Sequence, residues 1–220
     1  MAVIHQAELR PSKLELLSAW LPSRSWYRGE GEPQLADVGG FRLDDPEGEV
    51  GIEFKVVADT SGTLPVTYLV PLTYRGAPLD GAEHALVGTM EHGVLGRRWA
   101  YDGCHDLVMV GQLLALIEGR AQAQDQYVGG APDRDVFREY TGDVLDPRDF
   151  TGPPVDDEDG TELRAPQGTV LRLQRLMYTA PHGATRPPGG STGHLTGSWR
   201  SSDGSRPRGF FAFTHVSREF

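Results

Sequence analysis

The densest group of side chains able to do chemistry lies between residues 83 and 106: Glu83-His84, Glu91-His92, Arg97-Arg98, Tyr101, Asp102 and Cys104-His105-Asp106. Imidazoles beside carboxylates could hold a metal ion or relay a proton. The spacing argues against both, because zinc sites are built from pairs such as Cys-x₂-Cys or His-x₃-His, and here the single cysteine of the chain adjoins one histidine. A thiol at a helix start could become a nucleophile, but adjacent side chains there point apart, which favours a packed Cys104 and a first-turn His105. His182, His194 and His215 accompany no Gly-x-Ser-x-Gly elbow. The glycine-rich stretch Pro187 to Gly193 lacks the Gly-Lys-Ser/Thr end of a phosphate loop. The run Asp156 to Asp159 reads as a solvated loop, with a divalent-ion or basic-partner site as the alternative. On spacing alone the residues nominate no catalytic group, no metal ligand and no cofactor.

Composition narrows the partners. Asp and Glu number 31 against 21 Lys and Arg, a net charge of −10 that repels a phosphate backbone unless a basic patch offsets it, and none is visible. Nucleic acid is therefore not expected. Nor is a membrane, since no run reaches the ~18 apolar residues of a spanning helix, and the opening residues lack the basic and apolar regions of a signal peptide. One cysteine permits no intrachain disulfide, and the expected compartment is the cytoplasm.

The elements that must position these groups follow from periodicity. Leu14, Leu16, Leu17, Trp20 and Leu21 mark a short amphipathic helix opened by Pro11 or Ser12 and stopped by Pro22, with Trp26 and Tyr27 clamping it to a sheet. Val50 to Val57 and Val66 to Tyr74 alternate with period two and are joined by the turn residues Asp59 to Thr63, so they form an antiparallel pair; Leu35 to Leu43 adds a third strand. Pro71 has no N–H to donate, which predicts an edge or a bulge. Two more short strands follow around Gly93 and Gly96. The longest helix spans Asp106 to Gln124, with Val110, Leu113, Leu114, Ile117 and Ala121 on one face and Asp102 or Asp106 as its cap. Residues 128–168 read as a Pro/Gly/Asp-rich connection, and 169–220 as a strand-rich unit with strands at Thr169 to Tyr178, His194 to Arg200 and Gly209 to Val216. The predicted class is α+β: a curved antiparallel β-sheet with two main helices, the C-terminal strands extending or covering it. Two separate domains are the alternative.

Three stretches carry a family resemblance: YLVPLTYRGAPL from Tyr68 to Leu79, GAEHALVG from Gly81 to Gly88, and EHGVLGRRWAYDG from Glu91 to Gly103, together with Lys13 to Pro22 and Arg24 to Arg28. They resemble the N-terminal cap domain of actinobacterial maltokinases, over most of the first 125 residues. The resemblance implies a cap-like domain at 1–127. In that family the cap precedes a kinase fold that phosphorylates maltose with ATP on the way from trehalose to α-glucan. The kinase catalytic and Mg²⁺-binding motifs have no counterpart, since His92-Gly-Val, His182-Gly-Ala and Asp149-Phe-Thr each stop short of them.

The reading favours a non-catalytic cap-like module that binds an enzyme of trehalose, maltose or α-glucan (glycogen) metabolism. The alternative is a small-molecule (sugar) binding protein or enzyme with its site in the sheet concavity. Candidate ligand or partner contacts are Tyr68, Tyr74, Arg75, Glu83, His84, Glu91, His92, Arg97, Arg98, Tyr101 and Asp102.

Overall fold

The computed structural model describes residues 9–178 and 190–217. His182, Pro187 to Gly189 and the first eight residues lie outside the described residues.

Helix α1 (Lys13–Trp20) starts at a capping box: the Ser12 hydroxyl accepts from the Glu15 N–H, and the Glu15 carboxylate accepts from the Ser12 N–H at 2.7 Å. Its apolar side lies on a seven-stranded antiparallel sheet of order β1-β5-β6-β4-β3-β2-β7, formed by β1 (Leu9–Arg10), β2 (Leu35–Leu43), β3 (Gly51–Asp59), β4 (Val66–Arg75), β5 (Leu86–His92), β6 (Gly96–Asp102) and β7 (Gln124–Asp125). Leu17, Trp20, Leu21 and Trp26 pack there against Val57, Tyr68, Val70 and Leu72. The Trp20 and Trp26 rings meet edge to face at 5.9 Å, and Tyr27 stacks on Tyr68 at 5.6 Å, so the aromatic turn does clamp the helix to the sheet.

The opposite face of the same strands, with Phe41, Ile52, Phe54, Val56 and Leu69, joins helix α2 (Leu107–Glu118) and a second sheet in one core. The Asp106 carboxylate caps α2 by accepting from the Val108 N–H, and Gly119 ends it with φ +85°. The predicted Ala121 therefore lies past the helix. Met109 and Leu116 are buried along with the predicted stripe because α2 has apolar neighbours on more than one side.

The second sheet has the order β8-β12-β13-β11-β10-β9, from β8 (Phe137–Tyr140), β9 (Val155–Asp156), β10 (Gly160–Arg164), β11 (Thr169–Gln174), β12 (Ser191–Ser198) and β13 (Arg208–Val216). Strands β12 and β13 form the predicted hairpin. The stretch expected to be connection supplies β8, β9 and β10; its turn-forming residues separate short strands that sequence periodicity over so few residues cannot reveal.

Pro71 requires a correction. It does not mark an edge strand, for β4 lies inside the first sheet, paired along its whole length with β3. On the other side β6 pairs with Leu72 to Arg75, while residues 175–177, leaving β11, pair with Thr67 and Leu69. Pro71 sits between these two partners, where an N–H would find neither.

Candidate functional site

The sequence-nominated side chains do not converge. Most of them take a local partner where they stand. The Tyr68 hydroxyl, deep in the core, accepts from the Arg28 N–H at 2.9 Å, and burial pushes its phenol up to about 12. Tyr101 accepts from the Leu79 N–H. Arg75 forks onto Asp106 at 2.7 and 2.8 Å, which ties the end of β4 to the cap of α2. Glu83 accepts from the Gly81 N–H, and His92 Nδ1 accepts from the Val94 and Leu95 N–H groups of the β5–β6 turn. Glu91 and Arg97 face each other across that hairpin, the Arg97 guanidinium lies over Trp99 at 5.5 Å, and Arg98 lies against Gly76. His84 meets His105 edge to face, with Nε2 to Nδ1 at 3.1 Å. Among the described residues no group of three or more His, Cys, Asp and Glu is placed to hold a metal ion, and no helix is long and apolar enough to cross a membrane.

Asp102 leads to the most elaborate polar contact. Arg175, which sequence reading passed over as part of an alternating strand, is fully buried and places Nη2 at 2.6 and 2.8 Å from the two Asp102 oxygens. Its Nε donates to the Thr161 hydroxyl, its guanidinium lies 5.1 Å from the Trp26 ring, and Nη2 is 3.2 Å from the Cys104 thiol. Burial opposes the arginine's charge, but Asp102 outweighs it and holds the cation. The same burial pushes the Cys104 thiol well up, which disfavours the thiolate form. The cluster ties the two sheets together at the gap opposite Pro71.

A second buried network occupies the α1 face. Glu53 and Lys55 stand two apart on one strand and therefore share a face. Lys13 of α1 and Lys55 both contact Glu53, the Tyr74 hydroxyl donates to it at 2.9 Å, and Lys55 also contacts Asp37. Burial would raise the Glu53 carboxyl, but the two lysines hold it down at about 2. Their opposite charges at i and i+2 in a strand were a readable signal of a same-face pair; their burial was not.

Most of the first 125 residues were the part for which the sequence offered a family. Residues 20–106 match the maltokinase N-terminal cap domain family. Over these residues the chain is similar to a maltokinase-type cap. The match takes in β2 to β6 and the aromatic turn, and stops short of the resemblance on both sides: Lys13 to Ala19 of α1 lie before it and all of α2 after it. No curated protein matches the chain. The matched segment thus supplies Asp102 and the Arg75–Asp106 pair, while Arg175 and Thr161 of the Asp102 cluster come from outside it.

At the far edge of the cap, β2 meets the second sheet, and the Arg200 N–H donates to the Val38 carbonyl at 2.8 Å. A cleft of about 350 Å³ opens there, between Val38 to Gly40 of the cap, the segment after β7, and the ends of β12 and β13. Gly40 has φ +134°, and a Cβ on it would sit 2.0 Å from the Phe54 carbonyl oxygen, so the strand needs glycine to bend at this wall. None of the sequence-nominated residues lines this cleft. Its lining comes from six separated stretches of chain, which explains why no local motif announced it.

Proposed function

We propose that the chain is a cap-type module that works in the metabolism of trehalose, maltose and α-glucan, in the cytoplasm, by binding a protein of that route. The observation behind this reading is the cap match at residues 20–106. The binding surface we assign is the β5–β6 hairpin. Val94 and Leu95 at its tip are 63% and 45% exposed, and Glu91 and Arg97 flank them. Apolar side chains ringed by charge on a projecting hairpin are the composition of a protein contact. The α1 face of the sheet is a weaker candidate for a ligand because the Glu53 network and α1 already occupy it.

The test is affinity capture from cells of the native host, using the full chain and a Val94→Glu/Leu95→Glu variant of equal thermal stability. The expected result is recovery of an enzyme acting on trehalose, maltose or α-glucan by the unmodified chain and its loss with the variant. Capture of no such enzyme, with unchanged glycogen in a deletion strain, would refute the reading.

A further inference from the structure

Two histidines 21 residues apart in the chain meet in the structure. His84 stands in the single helical turn Glu83–Ala85 that leads into β5, and His105 in the turn Gly103–His105 between β6 and α2. Neither turn is loose. Ala82 and Ala85 pack against Tyr101, the Asp102 carboxylate accepts from the Cys104 N–H, and Asp106 caps α2 immediately after His105. Packing and caps therefore hold both backbones in place before any ligand arrives.

The geometry of the pair is that of a chelate. His84 Nε2 and His105 Nδ1 are 3.1 Å apart, the ring centroids 4.7 Å, and the ring planes cross at 83°. A straight N–H···N hydrogen bond of that length sets the centroids about 5.4 Å apart, because each nitrogen lies about 1.15 Å from its own centroid along the bond direction. The rings are bent toward each other instead. Both distances fit a single point about 2.05 Å from each nitrogen, the usual length of a zinc–imidazole bond, with an N–metal–N angle of about 95–100°. That angle lies between the square and tetrahedral values that copper(II), nickel and zinc adopt. Burial lowers the His105 pKa, which favours the neutral ring that ligates. The charges acting on it are Asp102 and Asp156 against Arg175, and Arg175 is already committed to Asp102, which leaves Asp156 to favour a cation. His84 is exposed, so an ion has a route in.

We propose that His84 and His105 together bind one divalent transition-metal ion, of the zinc, nickel or copper class, with water in its remaining positions. Two donors are half of a closed structural site, and the exposed side of the pair admits the water that completes the shell. The ion ties the turn before β5 to the start of α2. The proposal does not depend on the hairpin as a partner surface.

The experiment is calorimetric titration of the full chain with zinc and nickel chloride, and with magnesium chloride as a hard-cation control. It is repeated on His84→Ala, His105→Ala and, as a distant control on the second sheet, His194→Ala. One zinc or nickel ion per chain is expected to bind, weakened at least about tenfold in each of the first two variants and unchanged in the third. Zinc should raise the Tm of the unmodified chain, and a chelator should reverse the rise. Long-range ¹H–¹⁵N spectra should show His84 Nε2 and His105 Nδ1 shifting as zinc is added. His84 is exposed, so His84→Ala decides the matter even if His105→Ala fails to fold. Three results would overturn the proposal: neither ion binds the unmodified chain, which would make the pair a hydrogen bond only; binding survives His84→Ala; or magnesium binds as tightly, which would point to carboxylates elsewhere.

Discussion

Replacing Arg175 by methionine should cost far more stability than a surface ion pair would. The side chains of Arg175 and Asp102 are 0% and 5% exposed, with Nη2 at 2.6 and 2.8 Å from the carboxylate oxygens. Unit charges about 4 Å apart interact by about 4 kcal/mol at an effective dielectric constant of ~20. Arg175→Met removes the cation and strands the carboxylate, for which the expected loss is about 3–5 kcal/mol. For a chain of this size each kcal/mol lowers Tm by roughly 2–4 °C, so a fall of roughly 6–20 °C follows. Asp102→Asn preserves an oxygen to accept from the Cys104 N–H but strands the arginine, and should cost a similar amount. The double variant has no buried charge left, and its loss should fall short of the sum of the singles by at least about 2 kcal/mol. Urea unfolding followed by far-UV circular dichroism measures all three.

A local readout separates loss of this contact from general loosening. The Cys104 thiol is packed under the guanidinium, so a disulfide reagent should react slowly with the native protein and markedly faster with Arg175→Met, in native buffer, before any global unfolding. If each single variant lost less than about 1 kcal/mol, or if the double were the plain sum of the singles, the idea that this pair ties the sheets together would be wrong.

Other expectations concern the parts that hold the cap. The Glu53 carboxyl is depressed from 4.5 to about 2, so its contribution is fully present above pH ~4.5 and is lost as pH falls through about 2, a difference on the order of 3 kcal/mol; Glu53→Gln should flatten the acid limb of the urea-midpoint profile over that window. Gly40→Ala, which forces a Cβ against the Phe54 carbonyl at positive φ, should cost about 2 kcal/mol or more, whereas Gly31→Ala, at φ +75° in open space, should cost only about 1 kcal/mol; thermal melts of the two decide. Ser12→Ala should lower stability by about 1 kcal/mol through loss of the α1 capping box, and equal melts would show that α1 is held by packing alone.

What the sequence revealed and what it hid divide along a physical line. Period-two alternation placed β3 and β4, and the turn residues between them placed them as an antiparallel pair, because alternation and turn chemistry are local signals. The caps of both helices were readable for the same reason: an N-cap oxygen serves N–H groups two or three residues away. Local rules failed where the answer depended on a partner distant in sequence. Pro71 was rightly marked as lacking a donor, but no local signal could show that β6 ends beside it and residues 175–177 begin there, so the missing N–H coincides with a change of partner instead of an edge. Glu53 and Lys55 occupied positions that alternation assigns to solvent, and only α1 folding back over the strand, with Lys13 at its start, makes them a buried pair. Arg175 is the limiting case: its carboxylate is 73 residues away, and nothing in an alternating strand distinguishes an arginine that faces water from one that joins two sheets. The contacts beyond the cap therefore had to come from the fold. They are also where this chain adds to the cap, through the Arg175 cluster on one flank and the cleft on the other.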